Sequence, residues 1–133
     1  MTTLRPVREL VLVFNADSGR INAWLDSARK LFGAGECSLC DITHGLAGEK
    51  QDWVSCRTDL GIPVAALHRD ELGDAHRVAV DGQFPCVLAR TDEGYERLLG
   101  PDVLSRCRGS VADFRGRLLT HAALQDLSMP MAV

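Results

Sequence analysis

The chain lacks a long hydrophobic run. Its most apolar stretch, Leu10 to Phe14, is five residues long and follows the charged Glu9. A membrane-spanning helix needs about 20 apolar residues, and the core of a signal peptide needs about 7 to 15. We therefore expect a cytoplasmic protein with no membrane partner.

Lysine is also scarce, and the chain has no excess of positive charge. Only two of the 133 residues are lysines, and the formal net charge is −3. Because no positive field would concentrate nucleic acid or an anionic surface, we expect neither as a partner. The 46% hydrophobic and 25% charged residues are typical of a folded chain. The length suits a single domain over residues 1–133, with a core over about 8–120 and a tail over 121–133 that lacks a clear pattern.

The five cysteines do not form the framework of a secreted disulfide scaffold. Their number is odd, and only Cys37 and Cys40 are closely spaced. We expect Cys56, Cys86 and Cys107 to be inert fillers of the core. The sequence has no second Cys-x-x-Cys pair, no pair of histidines at zinc-ligand spacing, and no P-loop.

Apolar periodicity predicts an α/β fold in which strands and helices alternate. The predicted strands cover residues 10–14, 37–43 and 62–67, and the predicted helices cover 21–32 and 49–60. Since strands separated by helices usually pair in parallel, these three should lie in one parallel arrangement.

The second half of the chain predicts an antiparallel hairpin and two helices. Segments 84–90 and 95–99 flank a short polar connection with a glycine near its end. Pro101 suits the first turn of a helix. Ser110, with Asp113 three residues later, resembles a capping box and predicts the start of the last helix.

This order of elements resembles the thioredoxin-like superfamily over roughly residues 8–120. The segment 83–88 looks like the one that carries the family's cis-proline, which makes Pro85 a candidate. The resemblance implies a central mixed sheet of about five strands, three of them parallel, plus the C-terminal antiparallel hairpin, with helices on both faces. The chain also resembles a group of small uncharacterised bacterial proteins with a similar Cys-Ser-Leu-Cys segment.

The active-site corner of that family has two placements here. In the first, it is Ser18–Ile21, directly after the strand 10–14, where neither thiol position is a cysteine. In the second, it follows the second strand, close to Cys37 and Cys40. The first placement excludes oxidoreductase chemistry at the corner, whereas the second supplies a dithiol.

Cysteines at the spacing of Cys37 and Cys40 indicate either thiol–disulfide exchange or half of a soft-metal site. On an extended strand they would lie about 10 Å apart, too far for a disulfide, so they meet only at a turn or a helix start. Two reduced cysteines packed on a strand are the structural alternative. The redox interpretation assigns catalytic roles to Cys37, Cys40, His44 as the nearby imidazole, and Pro85. It requires no cofactor and implies a protein thiol or disulfide as partner.

The alternative function is a non-catalytic binding module on the same fold. One version binds zinc through Cys37 and Cys40, or between two chains through paired motifs. The remaining ligands would come from His44, His68, Cys56 or Asp41. Another version binds an anion or a protein at a strand end. The sequence sets no oligomeric state.

Two segments follow predicted strands and offer polar groups there. Asp17 to Arg20 could hold an anion at a helix start, although simple capping is the commoner role of such residues. His68 to Glu71 follows the third predicted strand at the edge where open parallel sheets usually place ligands. A ligand or acid–base role for His68 therefore stands beside that of a solvated turn residue.

Overall fold

A computed structural model describes residues 3–15, 37–45 and 48–130. The strands are β1 (Arg5–Pro6), β2 (Glu9–Val13), β3 (His44–Gly45), β4 (Gly48–Glu49), β5 (Val64–Leu67), β6 (Cys86–Thr91), β7 (Gly94–Leu99) and β8 (Leu127–Ser128). The helices are α1 (Ser38–Thr43), α2 (Gln51–Asp59), α3 (Asp74–Val80), α4 (Pro101–Arg106) and α5 (Val111–Leu124), with a 3-10 turn at Arg69–Glu71. The helix predicted over 21–32 and the segment from Asp17 to Ile21 lie outside the described residues.

The central sheet is mixed and has the strand order β5-β2-β6-β7. β5 runs parallel to β2, whereas β6 runs antiparallel to β2 and β7 antiparallel to β6. The predicted first strand and the predicted hairpin are therefore confirmed. Within the described ranges the sheet has four strands and one parallel pair, not about five strands of which three are parallel.

The missing parallel strand is the segment 37–43, where the strand prediction is wrong because this segment forms α1. Its residues from Leu39 to Thr43 are all buried. A short run that is buried on every side carries no periodicity, so its sequence does not distinguish a helix from a strand. The Thr43 hydroxyl donates to the Leu39 carbonyl at 3.1 Å, a bond that a threonine makes within a helix.

Helices cover both faces of the sheet, as expected. Along β2, Leu10 and Leu12 belong to one core cluster, whereas Val11 and Val13 belong to a second. Because side chains alternate along a strand, the two clusters lie on opposite faces. The larger cluster packs against α1, α2, α4 and α5, and the smaller one packs against α3 through Val80. β2 is thus buried on both sides, which explains its continuous apolar run.

The last two helices begin where the sequence predicts. Pro101 is the first residue of α4. The Ser110 hydroxyl accepts the backbone N–H of Asp113 at 3.1 Å and caps α5. These signals are local, since each depends on residues within one turn of the helix.

The C-terminal tail, which has no clear sequence pattern, joins the N-terminal segment. β8 pairs in parallel with β1, Arg5 lying opposite Leu127. The Arg5 N–H donates to the Asp126 carbonyl at 2.8 Å, and the Val7 N–H to the Ser128 carbonyl at 3.0 Å. Among the described residues, no helix combines the length and apolarity needed to cross a bilayer.

Candidate functional site

Cys37 and Cys40 meet at the start of α1, where they form a disulfide with their Cα atoms 5.2 Å apart. Cys37 is the N-cap residue, and Cys40 lies in the first turn. Residues three apart share one face of a helix, which is what brings the two sulfurs together. The helix that replaces the expected strand therefore supplies the convergence that a strand would have prevented.

The sulfurs lie in the protein interior. Both cysteines are fully buried, with 0% of either exposed. The backbone N–H of Cys40 donates to the Cys37 Sγ at 3.3 Å. A donor aimed at sulfur favours the ionised form of a thiol, so after reduction Cys37 is the better placed of the two to carry negative charge.

His44 is the C-cap residue of α1, at the opposite end of the helix from Cys37. With a rise of about 1.5 Å per residue, it lies about 10 Å from Cys37 and about 6 Å from Cys40 along the helix axis. Its Nδ1 is 2.7 Å from the hydroxyl oxygen of Thr43. Because that hydroxyl donates to the Leu39 carbonyl, it accepts from Nδ1–H. The predicted influence of His44 on a thiol stays a prediction.

Burial lowers the pKa of the His44 imidazole. The nearby Glu49 opposes that shift, and the positive charge that His68 can carry adds to it. The neutral imidazole is therefore favoured in the folded protein.

Pro85 lies at the sheet edge where β2 and β5 end. The Phe84–Pro85 peptide bond is cis, which confirms the candidate. Cys86 pairs with Val13, and Val13 also pairs with Leu67 on β5. Phe14 follows β2, His68 follows β5, and Pro85 precedes the antiparallel strand β6. The three residues therefore lie at the same edge of the sheet.

Phe14 contacts two histidines at that edge. Its ring centroid is 6.1 Å from that of His44 and 5.6 Å from that of His68. His68 is anchored by Glu71, whose Oε1 accepts from the backbone N–H at 2.7 Å and lies 2.6 Å from Nδ1. These contacts lower the pKa of Glu71, the backbone hydrogen bond most strongly. The His68 Nε2 is buried and has no hydrogen-bond partner among the described residues.

A zinc site is not assembled in this oxidised form. Sulfurs joined in a disulfide are not thiolate ligands, and structural zinc takes four protein ligands. Within the described ranges, no group of three or more His, Cys, Asp and Glu side chains could hold a metal ion. Zinc binding stays a prediction for the reduced chain.

The other three cysteines are free and buried, as the sequence predicts. Burial raises the pKa of Cys86 to about 12 and is the main cause that raises the pKa of Cys107 to about 11. Burial also raises the pKa of Cys56. None of these thiols is placed to ionise easily near neutral pH.

The sequence analysis missed Lys50, which binds α1 from outside the helix. Its ammonium donates to the Asp41 carbonyl at 3.1 Å and to the Gly109 carbonyl at 2.6 Å. Its backbone N–H donates to the Thr43 carbonyl at 2.9 Å. The only available signal was the rarity of lysine, which does not point to particular carbonyls.

Comparisons with known proteins find no match for this chain. Neither a family model, nor a curated protein, nor a solved structure matches the chain. Functional proposals therefore depend on the arrangement of the disulfide, its helix and the adjacent sheet edge.

Proposed function

We propose that the chain is a thioredoxin-like protein that exchanges thiols and disulfides with a protein partner through Cys37 and Cys40. The observation that carries this proposal is the disulfide at the start of α1, where two cysteines three residues apart share a helix face. The Cα separation of 5.2 Å lies in the range that a disulfide spans, so the two sulfurs can pair within the folded helix.

The sheet supports the thioredoxin-like part of the proposal. In the strand order β5-β2-β6-β7, β2 has a parallel neighbour on one side and the antiparallel hairpin of β6 and β7 on the other. The disulfide helix lies between β2 and β5 in the chain, and Pro85 immediately precedes β6. The cis-proline before the hairpin agrees with the resemblance, whereas the strand that the resemblance places at 37–43 is replaced by α1.

The short loop supports a redox role over a purely structural one. A disulfide stabilises a fold chiefly by restricting the unfolded chain, and the effect grows with the length of the closed loop. The loop closed here runs only from Cys37 to Cys40. On the chain-entropy model its contribution is about 2 kcal/mol, the low end for a structural crosslink.

The exchange conserves electrons and protons. In the reduced protein, the Cys37 thiolate attacks one sulfur of the partner's disulfide, forms a mixed disulfide, and displaces the partner's other sulfur as a thiolate. Cys40 loses its proton and attacks the Cys37 Sγ, which releases the second partner thiolate. The two protons lost by Cys37 and Cys40 balance those taken up by the partner. This protein is oxidised by two electrons, and the partner is reduced by two.

The test is catalysis of protein-disulfide reduction. Insulin would be reduced by dithiothreitol with and without the protein, and the loss of insulin disulfides would be followed by alkylation and mass spectrometry. We expect the wild type to accelerate the reaction, and we expect the double variant Cys37→Ala/Cys40→Ala to lose the acceleration. The variant Cys86→Ala is the matched control, since Cys86 is equally buried but has no sulfur partner.

A parallel measurement checks the protein itself. In dithiothreitol buffers of graded oxidation, Cys37 and Cys40 should convert together and reversibly between dithiol and disulfide, while the far-ultraviolet circular dichroism stays constant. If the wild type accelerates insulin reduction no more than the double variant, the redox function is wrong and the disulfide is structural.

A further inference from the structure

We infer that Lys50 controls access to the disulfide by holding α1, the helix that carries it, in its buried position. The inference rests on the proposed exchange function and adds its regulation. It assigns to Lys50 a positioning role, because the ammonium binds backbone carbonyls and touches neither sulfur.

Exchange requires the buried disulfide to become accessible. A thiolate must reach a sulfur along the S–S axis, but both cysteines are fully buried. Reduction of the native protein therefore follows a local opening, and its rate depends on how often that opening occurs. Contacts that exist only in the closed state set this frequency.

Lys50 provides such contacts at the carboxyl end of α1. The last four carbonyls of a helix lack partners within the helix, and a cation is favoured beside them. The ammonium binds the carbonyl of Asp41, the residue directly after Cys40. The backbone N–H of Lys50 binds the carbonyl of Thr43, the last residue of the same helix.

The same ammonium connects α1 to a second part of the molecule. It donates to the carbonyl of Gly109, in the turn between α4 and α5, 59 residues along the chain. Gly109 has a φ of +77°, which favours glycine, and a Cβ at this position would lie 3.5 Å from the Asp41 carbonyl oxygen. The turn thus lies directly against α1, and one cation joins both backbones.

Movement of α1 away from the turn would break one of the two bonds that the Lys50 ammonium makes, to Asp41 or to Gly109. One carbonyl would then lose a charged donor, and hydrogen bonds to charged donors are stronger than those between neutral groups. Lys50 therefore favours the closed state, in which the disulfide is protected from small thiols and partners alike. A partner that draws the ammonium away, for example with a carboxylate, would promote exchange.

The chain offers a matched control at Arg97. Its Nη1 also donates to two backbone carbonyls, those of Ala79 and Val80, at 3.3 and 3.0 Å. These lie at the end of α3, on the other face of the sheet. The variants Lys50→Met and Arg97→Met therefore each remove one cation from two carbonyls, but only the first frees α1.

The experiment measures the rate at which dithiothreitol reduces the native disulfide, with thiols trapped by acid and counted by mass spectrometry. Urea unfolding on the same samples corrects each rate for global stability. We expect Lys50→Met to raise the corrected rate about tenfold or more, and Arg97→Met to leave it within about twofold. Lys50→Gln, which keeps a neutral donor, should give an intermediate rate and serves if the methionine variant does not fold.

Equal corrected rates for the wild type and the Lys50 variants would overturn the inference, as would equal acceleration by Arg97→Met. This failure differs from failure of the redox function. If only the Lys50 inference is wrong, the wild type still accelerates insulin reduction. If only the redox function is wrong, Lys50→Met still speeds reduction of the disulfide by dithiothreitol.

Discussion

The protein holds its cysteines in two ways. Cys37 and Cys40 lie together at the start of a helix, whereas Cys56, Cys86 and Cys107 lie singly in α2, in β6 and at the end of α4. All five are buried. Burial therefore does not distinguish the pair from the isolated thiols.

The difference comes from the local backbone. At the start of α1, two cysteines share a helix face and a backbone N–H points at one sulfur. At Cys86 and Cys107 burial dominates and raises the pKa of the thiol. A backbone donor and a second sulfur, and not depth in the core, therefore distinguish the pair from the isolated thiols.

The largest expected effect concerns the reactivity of the isolated thiols. With a pKa of about 12, roughly one in ten thousand Cys86 thiols is ionised at pH 8. With a pKa of about 11, the fraction for Cys107 is roughly one in a thousand. Native alkylation by iodoacetamide at pH 8, followed by peptide mass spectrometry, should be slow at both cysteines. Both should be far slower than glutathione.

The control for this prediction is the protein unfolded in urea, where the two cysteines should react at similar rates. Native rates close to that of glutathione would contradict the prediction and remove the contrast with the pair.

The next largest effect is the loss of stability expected when a polar atom is placed at Cys86. Cys86 lies in the smaller core cluster with Val13, Leu88 and Val80. Cys86→Ser places a hydroxyl among these apolar side chains and should lower the free energy of unfolding by about 1 to 3 kcal/mol in urea titrations. Cys86→Ala is the control, since it removes the sulfur without adding polarity. A serine variant as stable as the alanine variant would count against the prediction.

A similar or smaller effect is expected from reducing the pair itself. Because the disulfide closes a loop only from Cys37 to Cys40, a phosphine reductant should lower the free energy of unfolding by about 2 kcal/mol or less. Urea titrations with and without the reductant measure the difference. The double variant Cys37→Ala/Cys40→Ala should be insensitive to reductant. A much larger loss would identify the disulfide as a structural crosslink.

The smallest expected effect is a pH dependence of the free energy of unfolding that comes from His44, the C-cap residue of α1. Burial holds the pKa of His44 below that of an unfolded histidine, about 6.5. The unfolded chain therefore binds protons more readily, and stability that is complete above pH 6.5 declines as the pH falls through that value. Between pH 7.5 and 5.5, urea titrations should show a larger loss for the wild type than for His44→Gln.

The control for the removal of a histidine is His121→Gln, in the last turn of α5. The lower limit of pH 5.5 keeps the measurement above the range in which Glu71 takes up its proton, since contacts with His68 lower the pKa of that carboxyl. An identical decline in His44→Gln and wild type would contradict the prediction.

The parts of the fold that follow from the sequence are those with local signals. The apolar run of β2, the turn between β6 and β7, and the Ser110 cap each depend on neighbouring residues. The strand prediction for 37–43 was wrong because every side chain from Leu39 to Thr43 is buried, so no periodicity indicated a helix.

The candidate site was predicted in composition but not in arrangement. The spacing of Cys37 and Cys40 indicated the pair, and the sequence also drew attention to His44, His68 and Pro85. The contact of His68 with Phe14 depends on the parallel register of β2 and β5, and the contact of His44 depends on how α1 packs against the sheet. The bond from Lys50 to Gly109 depends on tertiary packing, which no local pattern records.

The parallel pairing of β1 with β8 has a mechanical consequence. Because the two strands run in the same direction, pulling Arg5 and Ser128 apart along the strand axis slides one strand against the other. The hydrogen bonds from Arg5 to Asp126 and from Val7 to Ser128 are then loaded together, in shear, and not one after the other. Tension on this pair of strands must therefore break both bonds at once before it reaches the sheet and the disulfide helix.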